Sequence, residues 1–84
     1  MSIVQLSTKY DFGKMEDIKI KFGQRVRELR LTKGYSQEKL AEISDLDRTY
    51  IPGIEAGRRN VSLVVVEKIA RAFNITISEL LNQL

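Results

Sequence analysis

The stretch Gly34-Tyr35-Ser36-Gln37-Glu38-Lys39-Leu40-Ala41-Glu42-Ile43-Ser44-Asp45-Leu46-Asp47-Arg48-Thr49-Tyr50-Ile51-Pro52-Gly53-Ile54-Glu55-Ala56-Gly57 decides the fold. Ser36 is an N-cap residue ahead of a short helix that turns Leu40, Ala41 and Ile43 inward. Ser44-Asp45-Leu46 is a tight connection, in which Asp45 can take the left-handed conformation that usually calls for Gly. Asp47 caps a further helix predicted over Arg48–Ala56 and closed by Gly57, with Ile51 and Ile54 facing inward. Pro52-Gly53 argues against that helix, because an interior Pro costs about 3 kcal/mol. At the fifth helical position its missing N–H would have bonded the Arg48 carbonyl, so a kinked or loosened first turn is expected. A turn this tight makes the two helices cross steeply and projects the second away from the body. A projecting helix of that size fits the major groove of B-DNA.

Working outward, the period continues on both sides. Ile18, Phe22, Val26 and Leu29 recur at steps of four and three and predict an amphipathic helix from about Asp17 to Lys33. Asp17 caps it and Gly34 ends it. Gly23 weakens that helix by about 1 kcal/mol against Ala, so its small size is expected to serve a close approach. Downstream, Ser62 caps a helix to Phe73 with Leu63, Val66, Ile69, Ala70 and Phe73 inward. The run Val64-Val65-Val66 is β-prone, but the helical spacing carries through it. Asn74 is a left-handed C′ candidate, and Thr76 with Glu79 forms a capping box opening a last helix with Ile77, Leu80, Leu81 and Leu84 apolar. Five short helices with short connections predict an all-α bundle over residues 16–84. Residues 1–15 show no helical period and are expected to form a flexible tail.

Composition narrows the chemistry. The 84 residues contain neither Cys nor His, which excludes zinc fingers, thiolate or imidazole metal sites and Cys or His general-base catalysis. No phosphate-binding glycine motif occurs, and Leu63-Val64-Val65-Val66 is the longest apolar run, too short for a membrane span. The expectation is therefore a non-enzyme with no cofactor, metal, membrane or small-molecule substrate, in a reducing cytoplasm. The net charge of +3 is unevenly spread. Residues 1–34 carry eight basic and four acidic groups, residues 35–57 two and five, and residues 58–84 four and two. Basic groups thus flank an acidic middle, a distribution that fits solvated helix faces as well as a polyanion partner.

Taken together, Gly34-Tyr35-Ser36-Gln37-Glu38-x-Leu40-Ala41, Tyr50-Ile51-x-x-Ile54-Glu55-x-Gly57, Val26-Arg27-Glu28-Leu29-Arg30 and Ile69-Ala70-x-Ala72-Phe73 resemble the lambda-repressor-like helix-turn-helix proteins, the XRE family, over about residues 18–82. Leu46-Asp47-Arg48-Thr49-Tyr50-Ile51 followed by Gly53-Ile54-Glu55-x-Gly57-x-Arg59-Asn60 looks like the controller proteins of restriction–modification systems, small dimeric regulators that time endonuclease expression against methyltransferase. The resemblance implies a five-helix lambda-repressor-like fold whose second and third helices are the helix-turn-helix. It implies a homodimer on a palindromic double-stranded operator, with RNA polymerase as a candidate further partner. Phage-repressor-type regulators, and antitoxin-like ones that bind a partner protein, share much of the pattern.

Carried onto this chain, the resemblance places Arg48 and Thr49 at the head of the recognition helix as base contacts. Arg48 can grip guanine O6 and N7, and Thr49 can offer a hydroxyl or a methyl. Tyr50 is either core-facing or a contact to base and phosphate. Ser36, Gln37, Arg58, Arg59, Asn60 and Ser62 are expected against phosphates, Gln37 and Ser62 aided by helix N-termini. Gly53 stands where many relatives place another base-reading side chain, and Pro52 where a polar residue is usual. Arg30 and Glu55 match an ion pair joining the first helix to the third. One recognition helix reads too few base pairs for a genomic address. The apolar face Ile77, Leu80, Leu81 and Leu84, helped by Val64 and Val65, is therefore expected to pair with its symmetry mate.

Overall fold

The computed structural model describes residues 17–82 and 84; the expected tail, residues 1–15, lies outside the described residues. Among the described residues five helices follow in order: α1 Ile18–Lys33, α2 Gln37–Ile43, α3 Tyr50–Glu55, α4 Leu63–Ala72 and α5 Ile77–Leu80. The described residues contain no strand, and the Val64–Val66 run is helical.

Four helix starts are capped by the side chains read from the sequence. Asp17 accepts from Lys19 N at 2.9 Å, Ser36 from Lys39 N at 3.0 Å and Ser62 from Val65 N at 3.2 Å. At α5 the capping box is complete: Thr76 Oγ1 accepts from Glu79 N at 3.0 Å, and Glu79 Oε1 accepts from Thr76 N at 2.9 Å. Hydrogen bonding from Thr76, its backbone N–H first and its hydroxyl next, holds the Glu79 carboxyl below its ordinary range.

Four helices also end alike. Gly34, Asp45, Gly57 and Asn74 all have positive φ. The residue after each donates its N–H five residues back, Tyr35 to Arg30, Leu46 to Ala41, Arg58 to Gly53 and Ile75 to Ala70. This is the Schellman closure, which needs one left-handed residue per helix end. Here Asp and Asn fill the role twice.

The core gathers Phe22 and Val26 of α1, Leu40 and Ala41 of α2, Ile51 and Ile54 of α3, Val66, Ile69 and Ala70 of α4, then Phe73 and Leu80. Tyr35 stacks on Phe73 with ring centroids 6.5 Å apart. Arg25 of α1 donates to the carbonyls of Glu79 at 2.9 Å and Leu80 at 3.2 Å, so a charged side chain closes the C-terminal end of α5.

The structure corrects three expectations. The third helix starts at Tyr50, two residues later than its spacing suggested, because Asp47–Tyr50 forms a separate turn in which Tyr50 N bonds Asp47 O at 3.0 Å. Pro52 therefore sits in the first turn of α3, where an N–H has no intrahelical partner to lose, and the loosening expected ahead of it is this separate turn. Leu63, expected inward, is 81% exposed at the first position of α4, and Ile18 and Ile43 are also exposed. Leu80, expected on a dimer face, is fully buried, because the one-turn α5 must close the monomer core with its last residue.

Candidate nucleic-acid interface

The interface is built around α3. Its inner face, Ile51 and Ile54, is buried, and α1 crosses it closely. Gly23 sits at that crossing: a Cβ there would run into the Ile54 carbonyl oxygen and lie 3.0 Å from that of Glu55. The expected close approach is thus backbone against helix.

Glu55, the last residue of α3, meets Arg30 in a bidentate pair, Nε to Oε2 at 2.6 Å and Nη2 to Oε1 at 3.0 Å. Arg30 Nη1 donates to Tyr35 O at 2.8 Å, and Gln37 Nε2 donates to Glu55 Oε1 at 3.2 Å. The hydrogen bonds that Arg30 donates to Glu55 raise its pKa against the burial that lowers it. One carboxylate thereby ties α3 to α1, to the loop after α1 and to the start of α2. The Gln37 bond was not foreseen; in this state its amide belongs to that network.

The outward end of α3 is exposed. Arg48 and Thr49 occupy the turn ahead of it, and Tyr50 opens it half-buried against the core. Tyr50 is thus partly core-facing. Asp47 organises the turn, accepting from Thr49 N at 2.9 Å and from Thr49 Oγ1 at 2.7 Å. These two bonds, backbone first, depress the Asp47 pKa, with smaller help from the charges of Arg48 and Arg59. A carboxyl lowered on folding contributes stability above its unfolded pKa and loses it as pH falls through the folded value. Thr49→Ala should therefore raise the Asp47 pKa part of the way back in a carbon-13 carboxyl titration. An unchanged value would show that the hydroxyl contributes nothing.

Beyond α3, Arg58, Arg59, Asn60 and Ser62 are exposed on one connection. Ser36, also exposed, begins α2, its Oγ accepting the cap bond and its proton free to donate. Arg59 folds back, its guanidinium carbon 4.0 Å from the Tyr50 ring centroid. Periodicity could not reveal that contact, since it crosses a helix end; the bare Gly53 was its one sequence signal.

On α4 and at the C-terminus, Val64, Ile77 and Leu81 are exposed, while Val65 and Leu84 are partly covered. Phe22, Val66, Leu81 and Leu84 line a largely apolar groove of about 270 Å³ with Ile18 and Val61, and Lys19, Arg59 and Asn60 border it.

Comparisons with known proteins accord with this geometry. A helix-turn-helix family model (HTH_3) matches residues 26–80. Control protein C.MunI of a Mycoplasma species is 52% identical over 71 residues, which are 83% of this chain and 96% of that protein. The crystal structure of the restriction–modification controller protein C.AhdI from Aeromonas hydrophila superposes with a TM-score of 0.71 at 58% identity, over 74% of this chain and 90% of that one. The controller protein C.Esp1396I, solved as a tetramer on its natural 35 base-pair operator, superposes with a TM-score of 0.72 at 35% identity, over 79% and 87% of the two chains. The chain belongs to the helix-turn-helix family of lambda-repressor-like fold, among the restriction–modification controller proteins.

Proposed function

We propose that the chain is a sequence-specific DNA-binding transcriptional regulator, acting as a homodimer on a palindromic operator and controlling a restriction–modification system. The observation that carries this reading is the posture of α3. Its inner face is buried and its last residue is clamped by Arg30 and Gln37, while Arg48 and Thr49 stand exposed at its head. A helix held at one end and bare at the other is preorganised for a groove, so little ordering remains for binding to supply.

In this reading Arg48, Thr49 and Tyr50 face base edges. Ser36, Arg58, Arg59, Asn60 and Ser62 meet phosphates, joined by Gln37 once its amide turns outward. Two copies pair through Val64, Val65, Ile77, Leu81 and Leu84, with Leu80 supporting that surface from within. Their recognition helices then enter successive major grooves about one helical turn apart. A dimer seated at a promoter acts by meeting RNA polymerase or by excluding it. The C.Esp1396I operator complex supports DNA as the ligand class for the fold.

A salt series tests the reading. The affinity for a palindromic site should fall linearly with log salt, with a slope of about −0.9 per phosphate neutralised. Arg48→Ala should lower discrimination against a substituted half-site by roughly 5- to 150-fold, the range of one good base contact. Equal affinity of the unaltered protein for scrambled duplex would sink the proposal.

A further inference from the structure

Among the described residues, four of the five helices end on a left-handed residue and α5 does not. Its single turn runs into Leu81 at φ −89° and ψ 3°. Closure comes from α1 instead. Arg25 Nη2 donates to Glu79 O at 2.9 Å and Nε to Leu80 O at 3.2 Å, so one guanidinium spans two successive carbonyls. Its remaining nitrogen, Nη1, lies 3.6 Å from Glu28 Oε1 on α1 itself. The turn closed in this way carries apolar surface. Ile77 and Leu81 are one turn apart, share a face and are exposed. Leu81 directly follows the anchored Leu80 carbonyl, and Leu84 lies beyond it in the groove that Ile18 and Phe22 of α1 also line. Ile18, Phe22 and Arg25 stand at steps of four and three, so one stripe of α1 meets the C-terminal segment. The stripe is apolar at its start and a two-point donor at its end.

We propose that Arg25 is a positioning residue for homodimerisation, holding the turn after α5 in the orientation in which Ile77 and Leu81 meet a second copy. One helical turn does not hold its own shape in water, because nucleation is unfavourable and four residues repay little of it. A docking face on such a turn would be ordered afresh at each encounter, and that entropy would be lost from the affinity. The guanidinium fork orders it beforehand. Two N–H donors fix both distance and direction, and the positive charge sits at the negative end of the helix. A lysine ammonium keeps the charge but not the planar fork. The same α1 packs across α3, so one rigid element orients both the recognition helix and the dimer face. The separation of the two recognition helices in a dimer then depends on Arg25.

This inference rests on the homodimer reading, and the experiment separates the two. Sedimentation equilibrium of the full chain gives the dimer dissociation constant for the unaltered protein, Arg25→Ala, Arg25→Lys and Arg27→Ala, with circular dichroism reporting helix content. Affinity is then measured for a single half-site and for palindromes whose half-sites are moved closer together or further apart. Arg25→Ala should raise the dissociation constant about ten-fold and flatten the preference for one spacing, while the single half-site is bound as before. Arg25→Lys should raise the constant by a smaller factor. Arg27→Ala removes a charge from the exposed face of the same helix and should leave the constant unchanged. Unchanged constants for both Arg25 variants would overturn the role of Arg25. So would a single half-site weakened by the same factor as the palindrome, because that is the mark of a residue that only stabilises the fold. If Arg25→Ala does not fold, Arg25→Lys decides alone. An unaltered chain that stays monomeric at every concentration would overturn the homodimer reading itself.

Discussion

Glu55→Ala is expected to destabilise the fold by about 3–5 kcal/mol, the range for breaking one side of a buried ion pair. The reason is the partner left behind. Arg30 is only 9% exposed, and two of its three protein hydrogen bonds end on Glu55. Without that carboxylate the guanidinium keeps the Tyr35 carbonyl alone, and Gln37 loses an acceptor as well. A domain of this length has a total stability of about 4–13 kcal/mol, so the loss takes a large share of it. In urea the midpoint should fall while the slope stays constant, since the surface exposed on unfolding is unchanged. Glu55→Gln keeps the shape and one acceptor oxygen and should lose less. Replacing both partners by apolar residues of similar volume should recover part of the stability, because desolvation of the charges then no longer opposes folding. A loss under 1 kcal/mol for Glu55→Ala would mean that the pair is solvated in solution.

Gly23→Ala is the second large effect, and it tests a sign. In an isolated helix Ala is favoured over Gly by about 1 kcal/mol. At this crossing the added methyl meets backbone, the Ile54 carbonyl first and Glu55 next, with no flexible side chain to move aside. Ile54 is buried and Glu55 is held by Arg30, so α3 cannot shift without disturbing both. Overpacking of this kind costs about 1–3 kcal/mol and at times more. The net expectation is a loss of about 2 kcal/mol, or roughly 8–16 °C in Tm for a domain of this size. A variant as stable as the parent, or more stable, would show that the crossing has slack.

Much of the fold was legible because its punctuation is local. A capping side chain bonds an N–H two or three residues on, and a left-handed residue closes the turn just behind it. Asp17, Ser36, Ser62, Thr76, Gly34, Asp45, Gly57 and Asn74 could therefore be placed from neighbouring residues alone. What depended on distant partners was less legible. Spacing cannot tell Leu63 from Val66 when both lie within one helix, since which is covered depends on where α1 and α5 run. Leu80 read as surface because nothing in the sequence shows that α5 is a single turn closing the core. Pro52 read as the fifth helical residue, not the third, because helix initiation slipped by two residues.

The interface divides the same way. Arg30 and Glu55 were matched through resemblance, and their geometry is an intimate pair. Gln37 and Arg59 were expected against phosphates, with no partner within the chain. Their bonds to Glu55 and to the Tyr50 ring join residues 18 and 9 positions apart, through turns whose paths no periodicity reports.

The most direct test of the central claim is selection of bound duplexes from a random-sequence pool by the full chain, followed by sequencing. A preorganised α3 on a two-fold dimer predicts enrichment of one palindrome, its half-sites about 10 base pairs apart centre to centre. Recovery of an unenriched pool, or of a motif without two-fold symmetry, would contradict it.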